Sequence, residues 1–149
     1  MSPDDPGIND AGAVLGFDHV ALPMQRADAM VDFYRSLGLT VTEYPYLVRV
    51  GVGDQMINFH RPEFWEGDFP LRAPAAIPPC GDLCLIWQGS SHALAMMLDR
   101  AGVEIVEGPV EREGGRGLAA SSVYVRDPDG NLIEFMMYPD GSKESLLGG

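Results

Sequence analysis

Runs of apolar residues at strand and helix spacing divide the chain into two similar halves. In the first half, a strand at 17–22 precedes a helix that Asp28 caps and Gly38 ends, with apolar residues recurring at helical spacing between them. Further strands are predicted at 39–43, 46–52 and 55–60. This order is one β-α-β-β-β unit.

The second half repeats that order. A strand at 82–87 precedes a helix that Ser90 or Ser91 caps and Gly102 ends. The remaining strands are predicted at 103–107, 121–125 and 131–137. Residues 35–45 and 99–109 also share one pattern, which indicates internal duplication. We therefore expect an α+β fold of two tandem modules.

The predicted boundaries give one folded domain, 15–139, between a mobile leader at 1–14 and a polar tail at 140–149. Module one covers 15–60, a linking loop covers 61–79, and module two covers 80–139. The loop is long and rich in aromatic residues and proline, which is typical of a functional segment. It is predicted to cover a pocket, with Phe64 and Trp65 contacting a substrate and Phe69 beside them.

Composition restricts the possible partners. The chain has 46% hydrophobic residues, enough for an ordinary core, and 22 acidic against 10 basic residues give a net charge of -12. Such a charge repels nucleic acids and anionic membranes, so a small molecule is the expected partner. The sequence has neither an apolar run of about 18–20 residues nor a secretory signal pattern at its start, so a cytoplasmic location is expected.

The two cysteines are expected to be reduced and buried. Cys80 and Cys84 are placed in one strand, where four residues separate their Cα atoms by roughly 13 Å. A disulfide needs Cα atoms within about 7 Å.

Candidate chemistry emerges when the halves are placed in register. His19 then matches Asp82, and Asn58 matches Glu134, while His60 lies two residues beyond Asn58 on the same face. Histidines with carboxylates suit a divalent ion such as Fe, Mn, Co, Ni or Zn. We predict that the metal ligands come from His19, His60, Asp82 and Glu134; the subset His19, His60 and Glu134 has the composition of a facial triad.

Two arginines lie in a glycine-rich loop of module two. Arg112 is a candidate for holding an anionic substrate group over the cleft, and Arg116 is a second one. The alternative is that both are solvated loop charges.

Several segments resemble the vicinal oxygen chelate superfamily of glyoxalases, bleomycin resistance proteins and dioxygenases. They are 17–22 (FDHVAL), 33–39 (FYRSLGL), 57–60 (INFH) and 122–135 (SVYVRDPDGNLIEF). Residues 81–86 and 107–112 have counterparts in a small branch similar to the virulence-associated glyoxalase-like proteins. The likeness covers nearly the whole chain outside its two ends.

The resemblance implies a curved, eight-stranded mixed sheet around a metal cleft, usually in a homodimer. It matches His19 to the first-strand ligand and Glu134 to the last-strand ligand. This chain departs from glyoxalase I at Asn58, where a carboxylate is typical, and at Asp82, where glyoxalases and extradiol dioxygenases usually have histidine. The site could lie within one chain or between two.

Three functions stay open at this point. The leading one is a metal-dependent lyase or isomerase that stabilises an enolate of a substrate with adjacent oxygens, with His19 and Glu134 as the catalytic residues. The second is an Fe(II) dioxygenase. The third is a non-catalytic protein that binds a drug-like molecule through the aromatic loop.

Overall fold

The computed structural model describes residues 11–139, and eight strands and three helices lie within this range. In chain order they are β1 (His19–Pro23), α1 (Ala27–Ser36), β2 (Val41–Glu43), β3 (Leu47–Val52), β4 (Gln55–His60), α2 (Pro62–Trp65), β5 (Asp82–Ile86), α3 (Ser91–Arg100), β6 (Glu107–Glu113), β7 (Ala119–Arg126) and β8 (Leu132–Met137). The first ten residues of the predicted leader and the predicted tail lie outside the described residues. None of the described helices has the length and apolar character needed to cross a membrane.

The strands form two four-stranded sheets with the same internal order. The first sheet runs β1-β4-β3-β2 and the second runs β5-β8-β7-β6. In each, the first strand of the module pairs in parallel with the last one, and the other neighbours are antiparallel. The predicted α+β fold of two tandem β-α-β-β-β modules is confirmed, with the eight strands divided equally between two mixed sheets.

One face of each sheet packs into a common core, because side chains alternate along a strand. The helices cover these faces with the apolar residues that recur along α1 and α3. The buried core residues include Val48, Val50, Ile57 and Phe59 of the first sheet, Val123, Val125, Ile133 and Phe135 of the second, and Met30, Tyr34, Leu94 and Leu98 of the helices. The opposite, open face of each sheet carries the polar residues of the candidate site.

The loop between β7 and β8 forms hydrogen bonds with module one. Asp127 is 4% exposed, and its Oδ2 accepts a 2.7 Å hydrogen bond from the Tyr34 hydroxyl of module one. Its Oδ1 accepts hydrogen bonds from the backbone N–H groups of Asp129, Gly130 and Asn131. These donors offset the cost of burying a carboxylate. A polar turn of module two therefore stabilises the packing of α1.

The predicted cap of the first helix is wrong. Asp28 lies in the first turn of α1, and the residue before the helix, Arg26, makes no side-chain cap. Instead, the Asp129 carboxylate of module two accepts hydrogen bonds from the backbone N–H groups of Gln25 at 2.7 Å and Arg26 at 2.8 Å. Sequence proximity could not reveal an acceptor from another module. The predicted cap of the second helix is confirmed, because Ser90 Oγ accepts from the N–H of Ala93.

The sixth strand was also misplaced. The apolar run at 103–107 predicted a strand, but β6 spans Glu107–Glu113. A register irregularity separates Glu107 from Val110, and most of the pairing with β7 involves the polar residues that follow. An edge strand needs no apolar alternation, so the pattern gave a misleading signal there.

The cysteines are free, as predicted, but both are exposed rather than buried. Cys80 precedes β5, and Cys84 lies within this edge strand. Cys84 alternates with Leu83 and Leu85, which are the more buried residues, so its thiol lies on the opposite face from theirs.

Candidate functional site

The open face of the first sheet carries four polar residues that strand pairing places together. In the parallel pair of β1 and β4, His19 is opposite Met56 and Ala21 is opposite Asn58. Arg49 of β3 is opposite Asn58 on the other side. Residues that are opposite each other share a face, and so do residues two apart along a strand. His19, Asn58, His60 and Arg49 therefore lie on one face.

The second sheet presents a matching face. Asp82 is opposite Leu132, and Cys84 is opposite Glu134. Tyr124 of β7 is opposite Glu134 from the other side. The pairing thus confirms the predicted equivalence of His19 with Asp82 and of Asn58 with Glu134.

In each sheet the equivalent residues form a diagonal pair on adjacent strands. His19 and Asn58 are offset by two residues, as are Asp82 and Glu134. This offset puts the Cα atoms of each pair roughly 8 Å apart, since a strand rises about 3.3 Å per residue and neighbouring strands lie about 4.8 Å apart. Two side chains at this spacing are able to reach a common ion.

His60 lies farther from His19 than the sequence suggested. Its partner in β1 is Pro23, four residues from His19, which is roughly 13 Å along the strand. Its ring packs against that of Phe64 with centroids 4.6 Å apart. Partial burial and, second, the charge of His19 lower the pKa of His60.

The linking loop does reach the open face of the first sheet. Phe64 contacts Phe69 at 4.2 Å and Tyr46 at 6.0 Å between ring centroids, next to His60. Trp65 plays a different part, because its indole Nε1 donates a 2.9 Å hydrogen bond to the backbone oxygen of Met24. Phe64 therefore borders the candidate site, whereas the indole N–H of Trp65 attaches the loop to the segment after β1.

Glu134 is held in place by its neighbours on the second sheet. The hydroxyl of Ser122, which is 0% exposed, donates a 2.6 Å hydrogen bond to its Oε2. Sequence reasoning missed Ser122, although its position two residues before Tyr124 places it on the same face.

Arg112 lies on the same face as Glu134. Its Nε donates a 3.0 Å hydrogen bond to the Tyr124 hydroxyl, and its guanidinium lies over the Tyr124 ring. That hydrogen bond, with smaller contributions from Glu107 and Glu134, raises the pKa of Arg112. Arg116 instead lies over the ring of Tyr138, 5.9 Å from its centroid.

Within residues 11–139, no three histidine, cysteine, aspartate or glutamate side chains are close enough to hold one metal ion. The chain brings the candidates together as two half-sites. The first has His19 and Asn58, with His60 at its far end; the second has Asp82 and Glu134. The three members of the predicted facial triad, His19, His60 and Glu134, are not adjacent in a single chain.

A cavity of about 240 Å³ lies where the two modules meet. His19 and Met56 line it from module one, and Leu83, Cys84 and Leu85 line it from module two. Partial burial of the thiol, with additional effects of Glu134 and Asp82, raises the pKa of Cys84 to about 11. The cavity is thus bordered by an imidazole and by a thiol that stays protonated at neutral pH.

No family model matches the chain, but individual proteins do. The chain is 35% identical over 130 residues to the glyoxalase domain-containing protein RDO1 of Mycosarcoma maydis, covering 86% of this chain and 71% of that protein. It is 36% identical over 123 residues to the virulence protein STM3117 of Salmonella typhimurium, covering 81% and 83%. The crystal structure of STM3117 matches with a TM-score of 0.76 at 34% identity, over 85% of this chain and 99% of that one.

A more distant structure shares the fold alone. Lactoylglutathione lyase from Agrobacterium tumefaciens matches with a TM-score of 0.62 at 22% identity, over 83% of this chain and 94% of that one. Taken with the sequence relatives, these likenesses show that the chain belongs to the glyoxalase-domain family of the vicinal oxygen chelate superfamily, in the branch that includes STM3117.

Proposed function

We propose that the chain is a metal-dependent enzyme that acts on a small substrate with two adjacent oxygen atoms by lyase or isomerase chemistry. The observation that carries the proposal is the repeated diagonal pair on the two open faces, His19 with Asn58 and Asp82 with Glu134. Imidazole and carboxylate donors fit a divalent ion such as Fe, Mn, Co, Ni or Zn. His19, Asp82 and Glu134 would hold it, and His60 would lie toward the substrate.

Because the two half-sites do not come together within one chain, we further propose that a homodimer completes each site. The first strands of both modules, β1 and β5, are edge strands with exposed apolar residues. Phe17 just before β1 is 80% exposed, Val20 is 39% exposed, and Ile86 is 52% exposed. Apolar groups along unpaired edges favour association with another chain. His19 of one copy would then face Asp82 and Glu134 of the other.

The bound ion would supply Lewis-acid polarisation of the substrate oxygens. Glu134 would take a proton from the carbon next to the substrate carbonyl and return it to the adjacent carbon. The hydrogen bond from Ser122 fixes its Oε2, while its Oε1 has no hydrogen-bond donor among the described residues. His60, with Phe64 beside it, would border the substrate.

Elemental analysis of the purified protein tests the metal site. After reconstitution with each of the five ions, we expect about one tightly held metal per chain, and its loss in both His19→Ala and Glu134→Ala. His92→Ala is the matched control, since His92 is exposed on α3. Failure to retain any of the ions would overturn the proposal and leave a binding module with the cavity at the module junction.

Mixing the two variants tests where the site is assembled. His19→Ala and Glu134→Ala chains are unfolded together in equal amounts and refolded. If the site is shared by two copies, about half of the dimers are mixed and each of these contains one intact site of two, so about a quarter of the metal capacity returns. A site within one chain would regain none.

Solvent exchange tests the reaction class. Metal-loaded protein in D₂O should introduce deuterium next to the carbonyl of a 2-oxo aldehyde or 2-oxo acid, and Glu134→Gln should abolish the exchange. A protein that exchanges no protons but consumes oxygen only with iron would be a dioxygenase instead.

A further inference from the structure

Arg49 is set apart from the other arginines by its contacts. Three arginines of the described chain, Arg49, Arg61 and Arg72, are half-buried. Arg61 donates to the Glu43 carboxylate and to the Tyr44 carbonyl. Arg72 donates to three backbone carbonyls of its own loop.

Among the described residues, the Arg49 guanidinium has neither a carboxylate partner like that of Arg61 nor backbone carbonyl partners like those of Arg72. Its Nε donates a 3.2 Å hydrogen bond to Oδ1 of Asn58, which is 7% exposed. Its Nη1 is 3.5 Å from the Tyr44 hydroxyl, and the Tyr44 ring lies 5.1 Å from the guanidinium carbon. Within residues 11–139, no carboxylate forms an ion pair with Arg49 and no acceptor contacts Nη2.

Arg49 is thus the half-buried arginine of residues 11–139 whose terminal nitrogens contact neither a carboxylate nor a backbone carbonyl. A half-buried guanidinium is stabilised by an anion, and a planar carboxylate matches its two terminal nitrogens. Arg49 is also aligned with the candidate site, because Asn58 lies between it and β1 in the sheet. Asn58 and Tyr44 hold the guanidinium on the same open face as His19.

We propose that Arg49 binds the carboxylate of the substrate, so that the substrates are small 2-oxo or 2-hydroxy acids. The inference rests on the proposed function for the adjacent oxygens, but the carboxylate contact itself depends only on Arg49 and its neighbours. Asn58 then has a positioning role: it orients Arg49 instead of supplying a metal ligand.

Binding of matched acid and ester pairs tests the proposal. The probes are pyruvate, 2-oxobutanoate and phenylpyruvate, each compared with its methyl ester by calorimetry. At least one acid should bind ten or more times as tightly as its ester. The preference should be lost in Arg49→Gln, partly kept in Arg49→Lys, and unchanged in Arg100→Gln, which makes the same charge change at an exposed site on α3.

Two outcomes of the acid and ester comparison would overturn the proposal: no acid is preferred over its ester by the unaltered protein, or Arg49→Gln keeps the preference. The first readout needs no variant and holds even if Arg49→Gln fails to fold. Inorganic phosphate serves as a competitor, and phosphate that binds more tightly than every acid in an Arg49-dependent way would also exclude a carboxylate.

The same measurements on chelator-treated and metal-loaded protein separate the two proposals. An Arg49-dependent preference in metal-free protein supports the carboxylate site whatever the metal analysis gives. Protein that binds metal through His19 and Glu134 but has no preference for acids retains the proposed function and overturns only this inference.

Discussion

The Ser122 hydroxyl and the Glu134 carboxylate form a 2.6 Å hydrogen bond across β7 and β8. Ser122 is fully buried, whereas Glu134 is half-buried at the open face. A donor that cannot move toward solvent therefore fixes one oxygen of the proposed base and metal ligand.

Replacing Ser122 with alanine should weaken both this orientation and the fold. We expect Ser122→Ala to lower metal affinity by about 10- to 100-fold, as loss of a partner of a ligand usually does. The free energy of unfolding should fall by about 1–3 kcal/mol, because a partly buried carboxylate loses a donor. Metal titration and urea unfolding measure the two effects. Ser121→Ala, on the opposite face, should change neither; equal effects of both variants would contradict the assignment.

The cap of α1 offers a comparison between two aspartates. Asp129→Ala should lower the free energy of unfolding by about 0.5–2 kcal/mol, since the N–H groups of the two residues just before α1 lose their acceptor. Asp28→Ala should lower the free energy of unfolding by only about 0.3–1 kcal/mol, because it removes nothing but a favourable interaction with the helix dipole. Urea unfolding of both variants provides the measurement. A larger loss in Asp28→Ala than in Asp129→Ala would mean that Asp28 caps α1, as the sequence predicted.

The hydrogen bond between Tyr34 and Asp127 should stabilise the packing of the two modules against each other. Tyr34→Phe keeps the buried ring but removes the donor, so we expect a loss of about 1–3 kcal/mol in unfolding free energy. Tyr46→Phe is the matched control, because Tyr46 is 62% exposed and should stay within about 0.5 kcal/mol of the unaltered protein. Equal melting temperatures for the two variants would mean that this bond contributes nothing.

The thiol of Cys84 should react only at high pH. Its pKa is raised to about 11, first by partial burial of the thiol and then by Glu134 and Asp82. The reactive thiolate is therefore scarce at pH 7–9 and increases as the pH approaches 11. Iodoacetamide rates on metal-free Cys80→Ser protein, in which Cys84 is the only cysteine, would show this.

Adding Glu134→Gln to that protein should shift the midpoint to lower pH, because a negative charge near the thiol is removed. A midpoint near 9 in the Cys80→Ser protein would contradict the environment described for Cys84.

Much of the fold was accessible from periodicity. The helix over 27–36 and the strand over 55–60 follow from apolar spacing, since burial of one face imposes it. The strand at 107–113 was not accessible, because edge pairing through backbone groups leaves no apolar alternation to detect. The cap supplied by Asp129 was hidden for another reason: its acceptor and donors are more than a hundred residues apart.

Side-chain alternation was enough to predict which polar residues share a face, but not how far apart they lie. Alternation placed His19, Asn58 and His60 on one face, which the pairing confirms. The same pairing puts His60 at the far end of that face, and it brings Arg49 beside Asn58. Nothing in the spacing of an arginine within an apolar strand indicates that its guanidinium lacks a carboxylate, because that depends on neighbours from other strands.

Side-chain alternation follows from covalent geometry, so the order of the amino acids was enough to predict the two modules, the faces of their strands and the polar groups on the open faces. Which of those groups meet depends on the folded chain. Strand register and the packing of α1 against the loop at Asp127 set those distances, and both depend on contacts between residues far apart in the chain.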